Sequence, residues 1–150
     1  MNRSFVALGS NLGDRWAYLR GGVALLPGLV AASRVYETSP VGGPPDQGPY
    51  LNMVVEVSPS TPPYELLEQA RRAEEWAGRQ RGERWGPRTL DVDLLMVAGH
   101  VVDDPELTLP HPRMWQRAFV LVPLADLAPE LVAGHLEAVG SEGVRLAGQL

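Results

Sequence analysis

The order in which short apolar runs and helical stripes follow one another constrains this chain most. Phe5-Val6-Ala7-Leu8 reads as a strand ending at Gly9. Asp14 then suits the N-cap of an amphipathic helix running to about Leu26, where Pro27-Gly28 stops it. Trp16, Leu19, Val23 and Leu26 fall at helical spacing and point to a core-facing stripe. Val30 to Thr38 and Leu51 to Val57 read as strands, separated by a loop from Ser39 to Pro49 that is rich in proline and glycine. Pro63 or Tyr64 opens a second helix ending near Gly78, with Leu67, Ala70, Ala73 and Ala77 on one stripe. Leu90 to Val97 is a further strand, and Gly99-His100 a hairpin turn into Val101-Val102. The order β-α-β-β-α-β predicts an α+β, ferredoxin-like antiparallel sheet with helices on one face. Additional C-terminal elements follow: a proline-rich stretch from Leu107 to Met114, then an apolar helix from Ala118 to Leu127 interrupted by Pro123. Val132 to Leu150 carries little signal. The expectation is a single domain spanning residues 1–150.

Such a fold hosts many functions, so chemistry must come from particular side chains. All 13 basic residues are arginine, and there is no cysteine. Without lysine the chain lacks the phosphate-binding lysine of a P-loop, the β3 lysine of protein kinases and any Schiff-base amine. Without cysteine it has no thiol nucleophile, disulfide or thiolate-bound zinc. The formal charge of −5 argues against broad nucleic-acid binding, which needs a basic footprint. The arginines are nevertheless concentrated: Arg71, Arg72, Arg79, Arg81, Arg84 and Arg88 fall within 18 residues. An acidic protein with one arginine-rich segment points to a small polyanionic ligand.

Asp91 and Asp93 stand two apart on a strand and therefore share a face, while Leu90, Val92 and Leu94 face the other way. One reading is the exposed polar face of a half-buried strand. The other is a cation site, since adjacent carboxylates suit hard divalent ions and paired ions assist displacement at phosphorus. Spacing alone leaves both open. Arg88 beside the pair, with Arg79, Arg81 and Arg84 in the loop ahead, favours a metal-assisted polyphosphate site, with ATP as the natural ligand.

The segment Arg84-Trp85-Gly86-Pro87-Arg88-Thr89-Leu90-Asp91-Val92-Asp93 closely resembles the signature of the 6-hydroxymethyl-7,8-dihydropterin pyrophosphokinase family of the folate pathway. Four further stretches resemble other parts of that family: Ala7-Leu8-Gly9-Ser10-Asn11-Leu12-Gly13-Asp14; Tyr36-Glu37-Thr38-Ser39-Pro40 with Tyr50-Leu51-Asn52; Leu109-Pro110-His111-Pro112; and Arg117-Ala118-Phe119. The resemblance runs from about Phe5 to Pro129. It implies transfer of pyrophosphate from ATP to the hydroxymethyl oxygen of the dihydropterin, with release of AMP and use of two Mg²⁺ ions.

By the same resemblance Asp91 and Asp93 match the metal-binding pair. Tyr50 and Phe119 match the aromatics that sandwich the pterin. Asn52 matches the side chain that reads its edge, with backbone from Thr38 and Val41 assisting. Glu74, Arg79, Arg81, Trp85, Arg88, His111 and Arg117 match nucleotide-side and catalytic-loop positions. Arg79, Arg81 and Arg88 are expected to neutralise the transferred group, and Asp93 is a candidate base. The residue types suit these roles: a flat heterocycle is held by stacking on its faces and hydrogen bonds on its rim, and an asparagine in an apolar strand needs a partner. Phe119 could equally be core, Tyr50 could simply begin a strand, and Trp85 could pack under its loop.

The glycine- and proline-containing loops Gly9–Asp14, Gly42–Pro49 and Arg79–Trp85 are expected to close over bound substrates. The rivals are a nucleic-acid-binding module, which the charge disfavours, and a non-catalytic ligand sensor, which needs no aspartate pair beside arginines. No stretch is long and apolar enough to span a membrane. The expected enzyme is therefore a cytoplasmic monomer without nucleic-acid or membrane partners.

Overall fold

The computed structural model describes residues 2–39, 48–81 and 89–150, with residues 79–81 described by backbone alone. Val41, Trp85 and Arg88, and the side chains of Arg79 and Arg81, thus lie outside the described residues, as does most of the two later loops expected to close.

The first strand, β1 (Ser4–Ser10), is an interior strand of the sheet, paired on both sides. It leads to α1 (Arg15–Ala24), whose N-terminus is capped as expected: the Asp14 carboxylate accepts from the Ala17 amide at 3.1 Å. The single strand expected from Val30 to Thr38 is two, β2 (Leu29–Ala32) and β3 (Val35–Thr38). They are broken where the Ser33 amide donates to the Val54 carbonyl and the Ser33 hydroxyl receives the Val54 amide. A polar side chain substitutes there for the backbone ladder, which periodicity cannot reveal. Next come β4 (Tyr50–Val57), α2 (Pro63–Arg81) and β5 (Asp91–Met96). Every pairing is antiparallel, in the order β5-β1-β4-β3, with β2 also on β4. This is the α+β, ferredoxin-like arrangement.

Helices α1 and α2 cover one face. Leu19 and Val23 from α1, Leu26 just beyond it, and Ala70, Ala73 and Ala77 from α2 are buried there against Val6, Leu8, Val92 and Leu94. Leu66, four residues before Ala70, is the fully buried leucine of α2, and Leu67 packs against the same core partly buried. Trp16 packs only at the margin.

The turn at Gly99-His100 exists, but β6 (Val102–Asp103) pairs with β7 (Thr108–Leu109) and not with β5. The hairpin expected from β5 is therefore replaced by a separate two-stranded ribbon. Beyond it come α3 (Ala118–Leu127), α4 (Pro129–Val139) and β8 (Val144–Gly148). Both helices lie on the opposite sheet face, where Val120, Leu121, Leu124 and Val132 pack on Phe5, Val54 and Leu95. The helices are thus on both faces, because the C-terminal elements add a layer to the two-layer unit. The terminal stretch that carried little signal supplies α4 and also β8, which joins the sheet edge beside β3. Among the described residues no helix is long and apolar enough to cross a membrane.

Candidate active site

The face covered by α3 and α4 is only partly filled, and a cleft of about 740 Å³ remains at its end. Its floor is a row of residues set by strand register. Gly9 on β1 lies opposite Asp91 on one side and Asn52 on the other. Ala7 lies opposite Asp93, and Thr38 lies opposite both Tyr50 and Val144. Directly paired residues project to the same face, so carboxylates, aromatic ring and amide all open onto one cleft. Strands spaced ~4.8 Å apart put the Asn52 and Asp91 backbones about 10 Å from each other.

Two of the contents of this row follow from its neighbours. Val92 and Leu94 are buried on the α1–α2 side, which turns Asp91 and Asp93 to the cleft. Gly9 leaves the middle of the floor as bare backbone: a Cβ there would stand 2.9 Å from Asn52 Oδ1 and 3.7 Å from Tyr50 Cδ1. Asn52, which is buried, donates from Nδ2 to the Thr38 hydroxyl at 2.7 Å. Tyr50 is half-buried; burial, with the nearby Asp91 carboxylate, pushes its hydroxyl above the ordinary tyrosine value.

The roof is the start of α3. Phe119 is 39% exposed and borders the cleft rather than filling the core, and the Arg117 guanidinium lies 5.6 Å from its ring centre. Tyr50 and Phe119 therefore border one cavity from floor and roof, which resolves the plain-core reading of Phe119. The far wall is one that sequence reasoning missed. Val139 at the end of α4, then Glu142, Gly143 and Val144, border the cleft, as does Gln116. The pair Gly140 and Gly143, both at positive φ, marks the turn that brings β8 there, and it is the one signal in that stretch.

His111 sits beside this floor, not in it. Its amide donates to the Leu95 carbonyl at 2.8 Å, and its Nδ1 accepts from the Arg113 amide at 3.1 Å. An Nδ1 that accepts leaves the proton of the neutral ring on Nε2. Burial lowers its pKa below the ordinary histidine value; Asp93 opposes this, and Arg117 and Arg113 add to it. Glu74 does not border the cleft. One of its oxygens accepts the Val92 amide at 3.0 Å, occupying a donor on the outer edge of β5 behind the aspartates.

Asp91, Asp93, Tyr50, Asn52, Thr38, Phe119 and Arg117 are thus brought together, with His111 adjacent and Glu74 behind. Among the described residues no group of three or more acidic or histidine side chains forms a metal cluster. A cation here would have to complete its shell from ligand oxygens and water, as Mg²⁺ bound to phosphates does.

Comparison with known proteins places the chain. The family model for 7,8-dihydro-6-hydroxymethylpterin-pyrophosphokinase matches residues 5–129. A Bacillus subtilis protein named 2-amino-4-hydroxy-6-hydroxymethyldihydropteridine pyrophosphokinase is 45% identical over 151 residues, covering 97% of this chain and 90% of its own. The Methylorubrum extorquens protein of the same name is 46% identical over 139 residues, covering 89% and 87% respectively. Among solved structures, a Plasmodium falciparum HPPK-DHPS crystal structure superposes with a TM-score of 0.66 at 14% identity. That match covers 85% of this chain and 40% of the other, and it speaks to the fold alone. From the family model and the close relatives, the chain belongs to the 7,8-dihydro-6-hydroxymethylpterin-pyrophosphokinase family and is a pyrophosphokinase.

Proposed function

We propose that the chain transfers the pyrophosphoryl group of ATP to the hydroxymethyl oxygen of 6-hydroxymethyl-7,8-dihydropterin, releasing AMP, as a step of tetrahydrofolate biosynthesis. The observation that carries this reading is the cleft floor itself: a buried amide and a tyrosine at one end, two carboxylates on the same face about 10 Å away. A ring held at the first end would direct a short side arm toward the second.

In this reading Tyr50 and Phe119 take the two faces of the ring, and Asn52 takes its polar edge with help from the Thr38 backbone and Val41. Asp91 and Asp93 are oxygen donors of the kind a hard divalent ion prefers, and their shared face fits two Mg²⁺ ions gathered with a triphosphate. Such ions, when bound, screen the phosphate oxygens and acidify a hydroxyl.

The chain's own residues do the rest. Arg117, at the roof, offers a fixed guanidinium to the phosphoryl oxygens, joined by Arg79, Arg81 and Arg88 from the segment preceding β5. His111, neutral with its proton on Nε2, donates to a phosphate oxygen without adding charge. Trp85 and Glu74 take the nucleoside side, Glu74 by holding β5. The hydroxymethyl oxygen attacks the β-phosphorus in line, and a new O–P bond forms as the bond from that phosphorus to the α-phosphate oxygen breaks. AMP leaves with that oxygen, and the hydroxyl proton passes to Asp93 or water. The enzyme is read as a cytoplasmic monomer.

The test is to incubate the protein with ATP, Mg²⁺ and 6-hydroxymethyl-7,8-dihydropterin and to identify the nucleotide product. AMP in equal amount to the pyrophosphorylated pterin supports the proposal. ADP would instead mean single phosphoryl transfer, and absence of turnover would remove the substrate assignment.

A further inference from the structure

On the face of the sheet turned away from the cleft, one carboxylate gathers three segments of the chain. Glu37 of β3 pairs with Leu51, which is buried in the α1–α2 core, so the Glu37 side chain leaves the sheet on that side. Its Oε2 accepts from Arg15 Nη1 at 3.0 Å, and its Oε1 accepts from Arg145 Nη2 at 2.6 Å. The same Arg15 nitrogen donates to the Pro49 carbonyl at 3.0 Å. The bonds from Arg15 and then Arg145 hold the Glu37 carboxyl below the ordinary glutamate value, so it is charged at neutral pH.

Two of these segments run directly into the ring end of the cleft. Pro49 precedes Tyr50 of the floor, and Arg145 follows Val144 of the far wall. Neighbouring residues on a strand point to opposite faces, so a hold on Arg145 behind the sheet sets where Val144 stands in front of it. Little else fixes β8. None of its five residues is buried, and it pairs with the sheet through β3 alone. Its other support behind the sheet also comes from the start of α1, where the Trp16 indole rests on Gly148: a Cβ there would stand 3.2 Å from the ring. The aspartate pair is remote from this cluster, on β5, with β1 and β4 lying between it and β3.

We infer that Glu37 is a positioning residue for the pterin: acting from behind the sheet through Arg15 and Arg145, it sets the spacing between Tyr50 and the far wall of the cleft. The inference rests on the proposed substrate. A rigid ring gains dispersion energy only from walls at contact distance, and a gap of 0.5–1 Å forfeits roughly a quarter to a half of each contact. Without the shared carboxylate, Arg145 loses its anchor and two guanidinium groups are left to repel each other. The far wall and the chain entering β4 then move independently. The phosphate-binding end, built on β5 and the start of α3, keeps its geometry.

The test is steady-state kinetics of E37A, R145A, R145K and the double variant E37A/R145A, with 6-hydroxymethyl-7,8-dihydropterin and Mg²⁺–ATP varied separately. E37A should raise KM for the dihydropterin by roughly three- to tenfold, between the weight of an exposed ion pair and that of a buried charge-assisted bond. KM for ATP and kcat should stay within about twofold of wild type, the mark of lost binding rather than lost chemistry. R145A removes one arm and should reproduce part of the rise. R145K keeps a cation within reach and should lie nearer to wild type. In E37A/R145A the second change should add nothing, because Arg145 acts through Glu37. Arg145 is largely exposed, so R145A carries the test even where E37A does not fold. An equal rise in both KM values, a loss confined to kcat, or full additivity in the double variant would overturn the positioning role while leaving the substrate proposal intact. An unchanged KM for the dihydropterin in R145A would do the same. A wild-type protein that turns over no dihydropterin would overturn both.

Discussion

The Tyr36 hydroxyl lies 2.9 Å from both carboxylate oxygens of Asp126. Arg34 closes on the same carboxylate through its amide, Nε and Nη2. Asp126 belongs to the last turn of α3, and Phe119 to the first. The cluster therefore fixes the far end of the helix whose near end forms the roof of the cleft. Burial pushes the Asp126 carboxyl up, but the bonds from Arg34 and Tyr36 outweigh it and hold the group below the ordinary aspartate value. Y36F should cost about 1.5–3 kcal/mol of unfolding free energy, as expected for a hydrogen bond to a charged group. It should also raise KM for the pterin more than KM for ATP. Urea denaturation and steady-state kinetics read the two effects. Equal changes in both KM values would mean that α3 does not set the roof.

The aspartate pair supports a different expectation. Asp91 and Asp93 are on one face of an edge strand, where like charges two residues apart repel. D93N should lower kcat by roughly 100-fold or more, as losses of ligand and electrostatic groups typically do. The same change should leave the metal-free protein as stable as before, or slightly more so. Added Mg²⁺ with ATP should raise the melting temperature of the wild-type protein and not that of D93N. A variant that stays active, or one that gains the same thermal shift, would exclude this aspartate as a ligand.

Much of this architecture was legible in the residues. The β-α-β-β-α-β order, the Asp14 cap and the turning of Asp91 and Asp93 away from Val92 and Leu94 follow from local periodicity, which a sequence displays directly. The unread parts depend on contacts between distant segments. Ser33 breaks a strand because Val54 is beside it. The contact between the Glu74 carboxylate and the Val92 amide exists only because α2 docks against the edge of β5. The wall made by Glu142 and Val144 depends on β8 finding the edge of β3, and no motif announces a pairing between residues more than a hundred positions apart. Tyr36 fell inside a recognisable motif, but its partner Asp126 sits in a stretch whose only signal was helical.

Two glycines in helices should behave oppositely. At Gly21 of α1 a Cβ would run into the indole of Trp76 on α2, and Trp76 is held edge-on by Tyr18 at 6.0 Å. At Gly134 of α4 a Cβ meets nothing within 4 Å. Alanine gains ~1 kcal/mol of helix propensity over glycine at either site. At Gly21 that gain is opposed by an overpacking cost of about 1–3 kcal/mol. G21A should therefore lower stability or leave it unchanged, whereas G134A should raise it by about 0.5–1 kcal/mol. Neither residue borders the cleft, so kcat should hold in both. A G21A protein stabilised as much as G134A would show that α1 and α2 are less closely packed than this structure has them.

His111 gives the protein a pH dependence whose sign can be worked out. Burial, opposed by Asp93 and reinforced by Arg117 and Arg113, places its folded-state pKa below the ordinary value of about 6.5. As pH falls through 6.5 the unfolded chain takes up a proton there before the folded chain does. The unfolded state then binds more protons, so stability decreases as pH falls until the folded ring also protonates. The Nδ1 bond from the Arg113 amide adds a direct reason, because a protonated Nδ1 cannot accept it. H111Q has no titrating group at this position and lacks this part of the slope. The stability advantage of wild type over H111Q, measured by urea denaturation at pH 8, 7, 6 and 5, should therefore be largest at pH 8 and 7 and shrink toward pH 5. A difference that stays constant, or grows as the solution becomes more acidic, would mean that His111 is not held neutral by its surroundings.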